Sequence, residues 1–158
     1  MTDGSVEEDT NIGGVCYDAA DGALDFFGSS VPELIQRSWG RMFGEEQVIG
    51  QAELALLVVA LRLWEGRLRD RQLIMMVDGD AARQGTIRGY SPSIASAHLI
   101  AELWLCIAAF GTDPWFDRVP GPSNLADGPS RLQTDQVRKL GGREVAVRPS
   151  DWRAVTIR

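Results

Sequence analysis

Four carboxylates stand at positions where a carboxylate needs a reason. Asp3 lies in Thr2-Asp3-Gly4-Ser5, just ahead of the first predicted hairpin. Glu53 sits one turn into a predicted helix that is otherwise almost wholly apolar. Asp78 ends the apolar run Leu73–Val77, and Asp127 follows a Pro120-Gly121-Pro122 turn. A carboxylate near a buried surface is costly unless it has partners. Gathered together, such hard oxygen donors suit Mg²⁺ or Mn²⁺. Each also has a purely structural alternative. Asp3 can be a turn residue and Glu53 a first-turn partner of the helix dipole. Asp78 can cap the helix that follows it, and Asp127 can be a solvated helix-start residue.

The elements that would position these groups are readable from apolar spacing. Ile12–Tyr17 and Ala23–Val31 are strand candidates joined by the Asp/Gly-rich turn Asp18–Gly22, which predicts an antiparallel hairpin. In Pro32–Gln47, Trp39, Met42 and Phe43 are expected to pack inward, while Gly40 and Gly44 interrupt any long helix. Ile49–Leu68 is the clearest helix, with Leu54, Leu57, Val58, Leu61 and Trp64 at three- and four-residue steps. Its other side is apolar at Leu56, Val59 and Ala60, which predicts deep burial. Arg67, Arg69 and Arg71 mark its end, where the helix dipole favours cations.

Leu73–Val77 reads as a strand covered on both faces, as in a parallel sheet. Asp80–Arg88 is a short helix, Ser93–Phe110 a second buried helix and Trp115–Val119 a strand. Asn124–Leu132 reads as a short helix, and Glu144–Arg148 and Ala154–Ile157 are further strand candidates. Trp104 and Trp115 are assigned to the core. A hairpin followed by alternating helix and strand predicts a mixed sheet flanked by helices. In such sheets, sites form at the carboxyl ends of strands, which is where Asp78 falls.

The chain has 158 residues, 44% hydrophobic and 24% charged, which is ordinary for one folded domain. Its formal net charge of −6 argues against bulk electrostatic grip on nucleic acid. It does not exclude a nuclease, because bound metal ions invert the local sign. Cys16 and Cys106 match no metal-ligand spacing and are read as reduced thiols, which points to an intracellular setting of unassigned compartment. The acidic, polar N-terminus has no basic and apolar leader pattern. The apolar stretches Ala52–Trp64 and Ile94–Phe110 are too short to read as membrane spans.

Read together, the segments resemble the ribonuclease H domain of retroelement reverse transcriptases. The matching pieces are Thr2-Asp3-Gly4-Ser5, Ile12-Gly13-Gly14-Val15 and Ile49–Leu54 with Glu53. Val77-Asp78-Gly79-Asp80-Ala81-Ala82-Arg83 and Gly89-Tyr90-Ser91 follow. The last is Arg118–Arg131, with its Asn124-Leu125-Ala126-Asp127-Gly128-Pro129-Ser130-Arg131 pattern, the most specific of them. The match spans residues 2–132, taken as a ribonuclease H-like domain, with 133–158 as a C-terminal extension. The resemblance implies a mixed five-stranded sheet with helices on both sides. It also implies two Mg²⁺ (or Mn²⁺) ions, about 3.5–4 Å apart, that cut RNA within an RNA–DNA hybrid. By position, Asp3 bridges both ions, Glu53 and Asp78 hold one, and Asp127 holds the other. Ser5, Arg83, Ser91, Asn124 and Arg131 are the candidate substrate contacts, the arginines because a guanidinium suits phosphate.

Three departures from the family pattern stand out. Only Met1 precedes the Thr-Asp-Gly-Ser motif, so the central strand is expected to be nearly absent and the chain to be a fragment or excised domain. Gly79 stands where these elements usually carry Asn. His98 is the single histidine and lies mid-helix, so no loop histidine precedes Asp127. Arg83 and Arg88 are the cations between Asp78 and Trp115, so no basic protrusion grips the duplex. A polymerase domain, on this or another chain, is expected to supply the grip. Two other functions fit the same residues: a DNA nuclease on this fold, and a degenerate scaffold without activity.

Overall fold

The structure, a computed structural model, describes residues 1–6, 10–40 and 49–156. Met42 and Phe43, expected to pack inward, lie outside the described residues. The elements run β1 (Thr2–Val6), β2 (Thr10–Tyr17), β3 (Leu24–Ser30), α1 (Glu33–Gly40), α2 (Ile49–Leu63) and α3 (Glu65–Leu68). They continue with β4 (Gln72–Val77), α4 (Asp80–Arg88), α5 (Ile94–Phe110), β5 (Asp113–Arg118), α6 (Asp127–Ser130), α7 (Asp135–Lys139) and β6 (Arg143–Glu144).

One six-stranded mixed sheet has the order β5-β4-β1-β2-β3-β6. The pairs β1–β2 and β2–β3 are antiparallel; β1–β4, β4–β5 and β3–β6 are parallel. The expected mixed architecture is present, with six strands instead of five. The sixth is β6, which adds Arg143 and Glu144 beside Asp25 and Phe26. Of the expected strand Glu144–Arg148, Glu144 alone lies in β6, with Val145 N–H donating to Phe26 O at 2.8 Å just beyond it. Ala154–Ile157 is not a strand where described: Arg153–Val155 is a 3₁₀ turn, and Ile157 lies outside the described residues. Val155 is fully buried there, and Trp39 Nε1 donates to its carbonyl at 2.8 Å. Tertiary packing overrode the β propensity of Val155.

The central strand does form. β1 contains the Thr-Asp-Gly-Ser motif and lies between β2 and β4, but its pairing with β4 is confined to Thr2 opposite Val77.

Strand alternation sends side chains to two opposite faces. Ile12, Phe27, Met75 and Val77 join α2 and α5 in the larger core. Val15, Phe26, Ala126 and Val137 form a smaller core on the other face, beneath α6 and α7. The larger core also takes Trp152 and Val155, so residues beyond 132 contribute to both. α2 is buried along ten of its fifteen residues, including Leu54 to Leu61 without a break, as its all-round apolar sequence predicts. The predicted helix Ile49–Leu68 breaks at Trp64, which caps the short α3. Trp64 packs its ring on Phe27 at 5.4 Å between centroids.

Arg67 and Arg71 tie α3 and its exit to the β2–β3 turn. Arg71 donates to both Asp18 carboxylate oxygens at 2.6 and 2.8 Å, and Arg67 lies 3.3 Å from Asp25. The Arg71 hydrogen bonds hold the Asp18 carboxyl down at about 2. Trp115 is 68% exposed, which corrects its assignment to the core: it alternates outward along β5. Trp104 is only partly covered, with Nε1 donating to Thr86 O at 3.1 Å and its ring against Phe116. Cys16 and Cys106 are free thiols. Among the described residues, no helix is long and apolar enough to cross a membrane.

Leu57 has no exposed surface and sits at the middle of α2. Leu57→Ala is expected to lower unfolding free energy by about 2–5 kcal/mol, read by urea denaturation. A loss below about 1 kcal/mol would mean the α2–α5 core collapses around the gap.

Candidate functional site

The site begins with two glycines. Gly13 in β2 pairs across the sheet with Asp3 in β1 on one side and Gly28 in β3 on the other. A Cβ at Gly13 would lie 2.2 Å from the Ser130 backbone nitrogen, and one at Gly28 would lie 2.4 Å from Pro129 O. The backbone of α6 therefore rests directly on the sheet, with no side chain between. Glycine inside a strand marks this kind of close approach. The contact delivers two groups to β1. Ser130, fully buried, places its hydroxyl 2.6 Å from Asp3 Oδ2 and 2.8 Å from Asp127 O, where it donates. Asp127 stands at the start of α6, close enough to Asp3 to push its carboxyl up.

The loop before α6 is held by Asn124. Its buried side-chain amide donates to Thr2 O at 3.4 Å, and its side-chain oxygen accepts from Ala126 N–H at 3.1 Å. These contacts position the Asp127 turn against β1.

On the opposite face, α2 packs against β1 at Gly4, where a Cβ would meet Glu53 Cγ at 3.6 Å. Glu53 turns its carboxylate over Gly79: a Cβ there would lie 2.1 Å from Oε2 and 2.5 Å from Oε1. Thr2, Asp3, Glu53, Leu56, Val77, Asp78 and Gly79 line one small crevice at this end of the sheet. Asp78 reaches it because it follows the last residue of β4, Val77, which pairs with Thr2.

Asp3 and Glu53 both feel the negative charges around them. Burial raises the Asp3 carboxyl above its ordinary value, the Ser130 hydrogen bond opposes this, and Asp127 and Asp78 push it up further. Burial, then Asp3 and Asp78, push Glu53 up to about 7. Fixed negative charges held near a half-buried carboxyl favour its neutral form. Such perturbed groups cluster at functional sites. Among the described residues, no group of three or more His, Cys, Asp or Glu side chains converges closely enough to hold a metal ion as the side chains stand.

The remaining sequence candidates are distributed around this end and beyond it. Arg131 donates from Nε to Asp127 Oδ1 at 3.0 Å. Arg83 pairs with Asp80 at 3.2 Å on the first turn of α4. Ser91 accepts from Ser93 N–H at 3.3 Å, ahead of α5, so it stands with the helix cap and outside the carboxylate crevice. Ser5 lies in β1, and its side chain is outside the described ones. Sequence reasoning did not assign roles to Gly13, Gly28 or Ser130. The signal was present: a Gly13-Gly14 doublet inside a strand, and a serine three residues after the candidate ligand Asp127.

Gly13→Ala is expected to lift α6 from the sheet and lower stability by about 1–3 kcal/mol, with loss of the Ser130–Asp3 contact visible by NMR. An unperturbed Ser130 in a stable variant would refute the close-approach account. The sign for Glu53 follows from its raised value. Its proton is held more tightly when folded, so its contribution to stability is full below its ordinary value of 4.5 and lost as pH rises through about 7. Metal-free protein is therefore expected to lose more stability between about pH 5 and about pH 8 than Glu53→Gln does. Equal slopes in thermal melts with a chelator would show that Glu53 is not perturbed.

No protein family matches the chain, and no curated protein does. A solved structure does: RNase H1 from the halophilic archaeon Halobacterium salinarum NRC-1 superposes with a TM-score of 0.61 at 17% identity. The alignment covers 85% of this chain and 95% of that one. The strand order, the helices on both faces and this superposition agree: the chain has the ribonuclease H-like fold.

Proposed function

We propose that this protein is a divalent-metal-dependent endonuclease that hydrolyses the RNA strand of RNA–DNA hybrids. One observation carries the reading: Asp3 and Glu53 are half-buried among like charges, with Asp78 and Asp127 pushing the Asp3 carboxyl up and Asp3 and Asp78 pushing Glu53 up. The structural neighbour, named as an RNase H1, supports the same reading through its fold.

The donor set fits Mg²⁺ or Mn²⁺ in kind, being made of hard carboxylate oxygens. Burial and mutual repulsion raise Asp3 and Glu53, and a dication relieves both. Asp3, Glu53, Asp78 and Asp127 are the residues that would hold two ions. When bound, the ions activate a water and stabilise the leaving 3′-oxygen of an in-line displacement. The protein's own groups prepare that chemistry. Ser130 orients Asp3 by donating to one oxygen, leaving the other for a ligand. Gly79 leaves room for the Glu53 carboxylate beside Asp78. Arg131 holds Asp127 from the solvent side. Arg83 and Arg131 are proposed phosphate contacts, and Ser5, Ser91 and Asn124 the polar contacts to the hybrid.

The reverse transcriptase setting rests on the resemblance of Thr2–Ser5, Val77–Arg83 and Asn124–Arg131. A net charge of −6 gives little electrostatic grip, which suits a domain tethered to a polymerase domain on the same or another chain. A second reading, a scaffold without activity, is favoured by the absence of a ready three-ligand cluster among the described residues.

The test is cleavage of a labelled RNA strand in a hybrid, with Mg²⁺ or Mn²⁺, against the same strand paired as DNA. Asp78→Asn is expected to cut about 100-fold more slowly or less, since metal charge stabilisation is worth several kcal/mol. Folded wild-type protein that cuts nothing would decide for the scaffold. Cutting of DNA duplex at an equal rate would decide for a DNA nuclease.

A further inference from the structure

A second charged group stands beside the carboxylates. Arg118 is the last residue of β5 and pairs across the sheet with Val77, the residue before Asp78. Strand alternation puts its side chain on the face that Val77 and Phe116 share, where both pack on the larger core with Ala82 of α4. There Arg118 Nη1 lies 3.5 Å from Asp80 Oδ2. Arg83, one turn into α4, lies 3.2 Å from the other oxygen, Asp80 Oδ1. Two guanidinium groups from separate elements thus close on one carboxylate, itself two residues from Asp78.

This arrangement differs from the ion pairs that fasten the fold. In two of those the carboxylate is the buried partner: the Asp25 and Asp151 side chains are each 4% exposed beneath Arg143 and Arg148. At Asp80 the order is reversed, with the Arg83 side chain 22% exposed and the Asp80 side chain 56%. The Arg83 Nε–H is buried and has no partner among the described residues. A buried donor left open is costly and uncommon. An exposed carboxylate can turn into solvent without loss of packing, whereas the arginine beneath it stays in place. α4 also starts at Gly79 without a side-chain cap, and a helix N-terminus favours an anion. Two positive charges and an open donor thus face one displaceable negative charge.

We propose that Arg83 and Arg118 form a cradle for a backbone phosphate of the RNA–DNA hybrid, and that the Asp80 carboxylate fills this cradle until the hybrid displaces it. The inference rests on the nuclease reading and deepens it, adding Arg118 as a substrate-binding residue and Asp80 as its competitor. A phosphate oxygen can replace a carboxylate oxygen here because guanidinium groups bind either anion through paired hydrogen bonds. A backbone held at the α4 end of the carboxylate crevice is held beside the bond to be cut, where positioning lowers the barrier. The roles carry opposite signs. Loss of either arginine removes attraction for phosphate, whereas loss of the Asp80 charge removes a competitor. A merely structural ion pair would respond alike to the loss of either partner.

The test is fluorescence anisotropy of a labelled RNA–DNA hybrid titrated with the full chain over a series of salt concentrations, with chelator present so that nothing is cut. Arg118→Gln is expected to weaken binding about tenfold and to reduce the slope of log affinity against log salt by about 1. Arg83→Gln is expected to do the same and serves if the first variant fails to fold. Asp80→Asn breaks the same two ion pairs, yet is expected to bind about threefold tighter or more, because a like charge facing the phosphate is gone. Unchanged affinity and salt slope in a folded arginine variant overturn the proposal. So does weaker binding by folded Asp80→Asn, or folded wild-type protein that binds no hybrid. Cutting is read separately, in Mg²⁺: its absence sinks the nuclease reading, while binding that the arginines support and Asp80 opposes still establishes the cradle.

Discussion

The contact of the Pro129–Ser130 backbone with the floor of the sheet is the constraint on which the rest depends. It exists because Gly13 and Gly28 sit side by side on neighbouring strands and present no Cβ. Bringing a helix backbone this close excludes any intervening side chain, so the position of α6 is set by hard contact rather than by adaptable packing. Everything at the carboxylate end inherits that position. Ser130 reaches Asp3, Asp127 is held near the same strand end, and Asn124 is drawn down to Thr2. The specific Asn124–Arg131 segment is therefore a docking device as much as a donor of one carboxylate.

The site is held against its own electrostatics. Asp3 and Glu53 are partly buried among like charges, and both are pushed toward their neutral forms. Only a scaffold with stability to spare can keep such groups together. That stability resides in α2 and α5, whose buried leucines and valines form the larger core. Glu53 is the point where this core and the site meet: one turn of an apolar helix carries a single carboxylate to the sheet end. Gly79 matters for the same reason. The residue that departs from the retroelement pattern leaves the space that the Glu53 carboxylate fills.

The reading of individual elements succeeded where one periodic signal dominated. The β2–β3 hairpin, α2, β4, α4 and α5 all appear near their expected places. It failed where neighbours far along the chain decide. Trp115 carries the residue type of a core, yet β5 is the edge strand and alternates it into solvent. Val155 belongs to a short apolar run that reads as strand, yet Trp39 and the core capture it in a turn. Asn124–Leu132 reads as one helix, yet Asn124 spends its amide on Thr2 and α6 begins at Asp127.

By itself the sequence determined the carboxylates, the elements that carry them and, through the order of its motifs, the fold. Those depend on local periodicity, turn chemistry and residue type, which a single chain displays openly. Tertiary structure decided what the carboxylates can do to one another. The coupling of Asp3 with Asp78, Asp127 and Glu53 and the seat of Ser130 arise from contacts between residues distant in sequence. Such contacts are set by the sheet order β5-β4-β1-β2-β3-β6. No local pattern records that order, because each strand's neighbours are chosen only when the whole core closes.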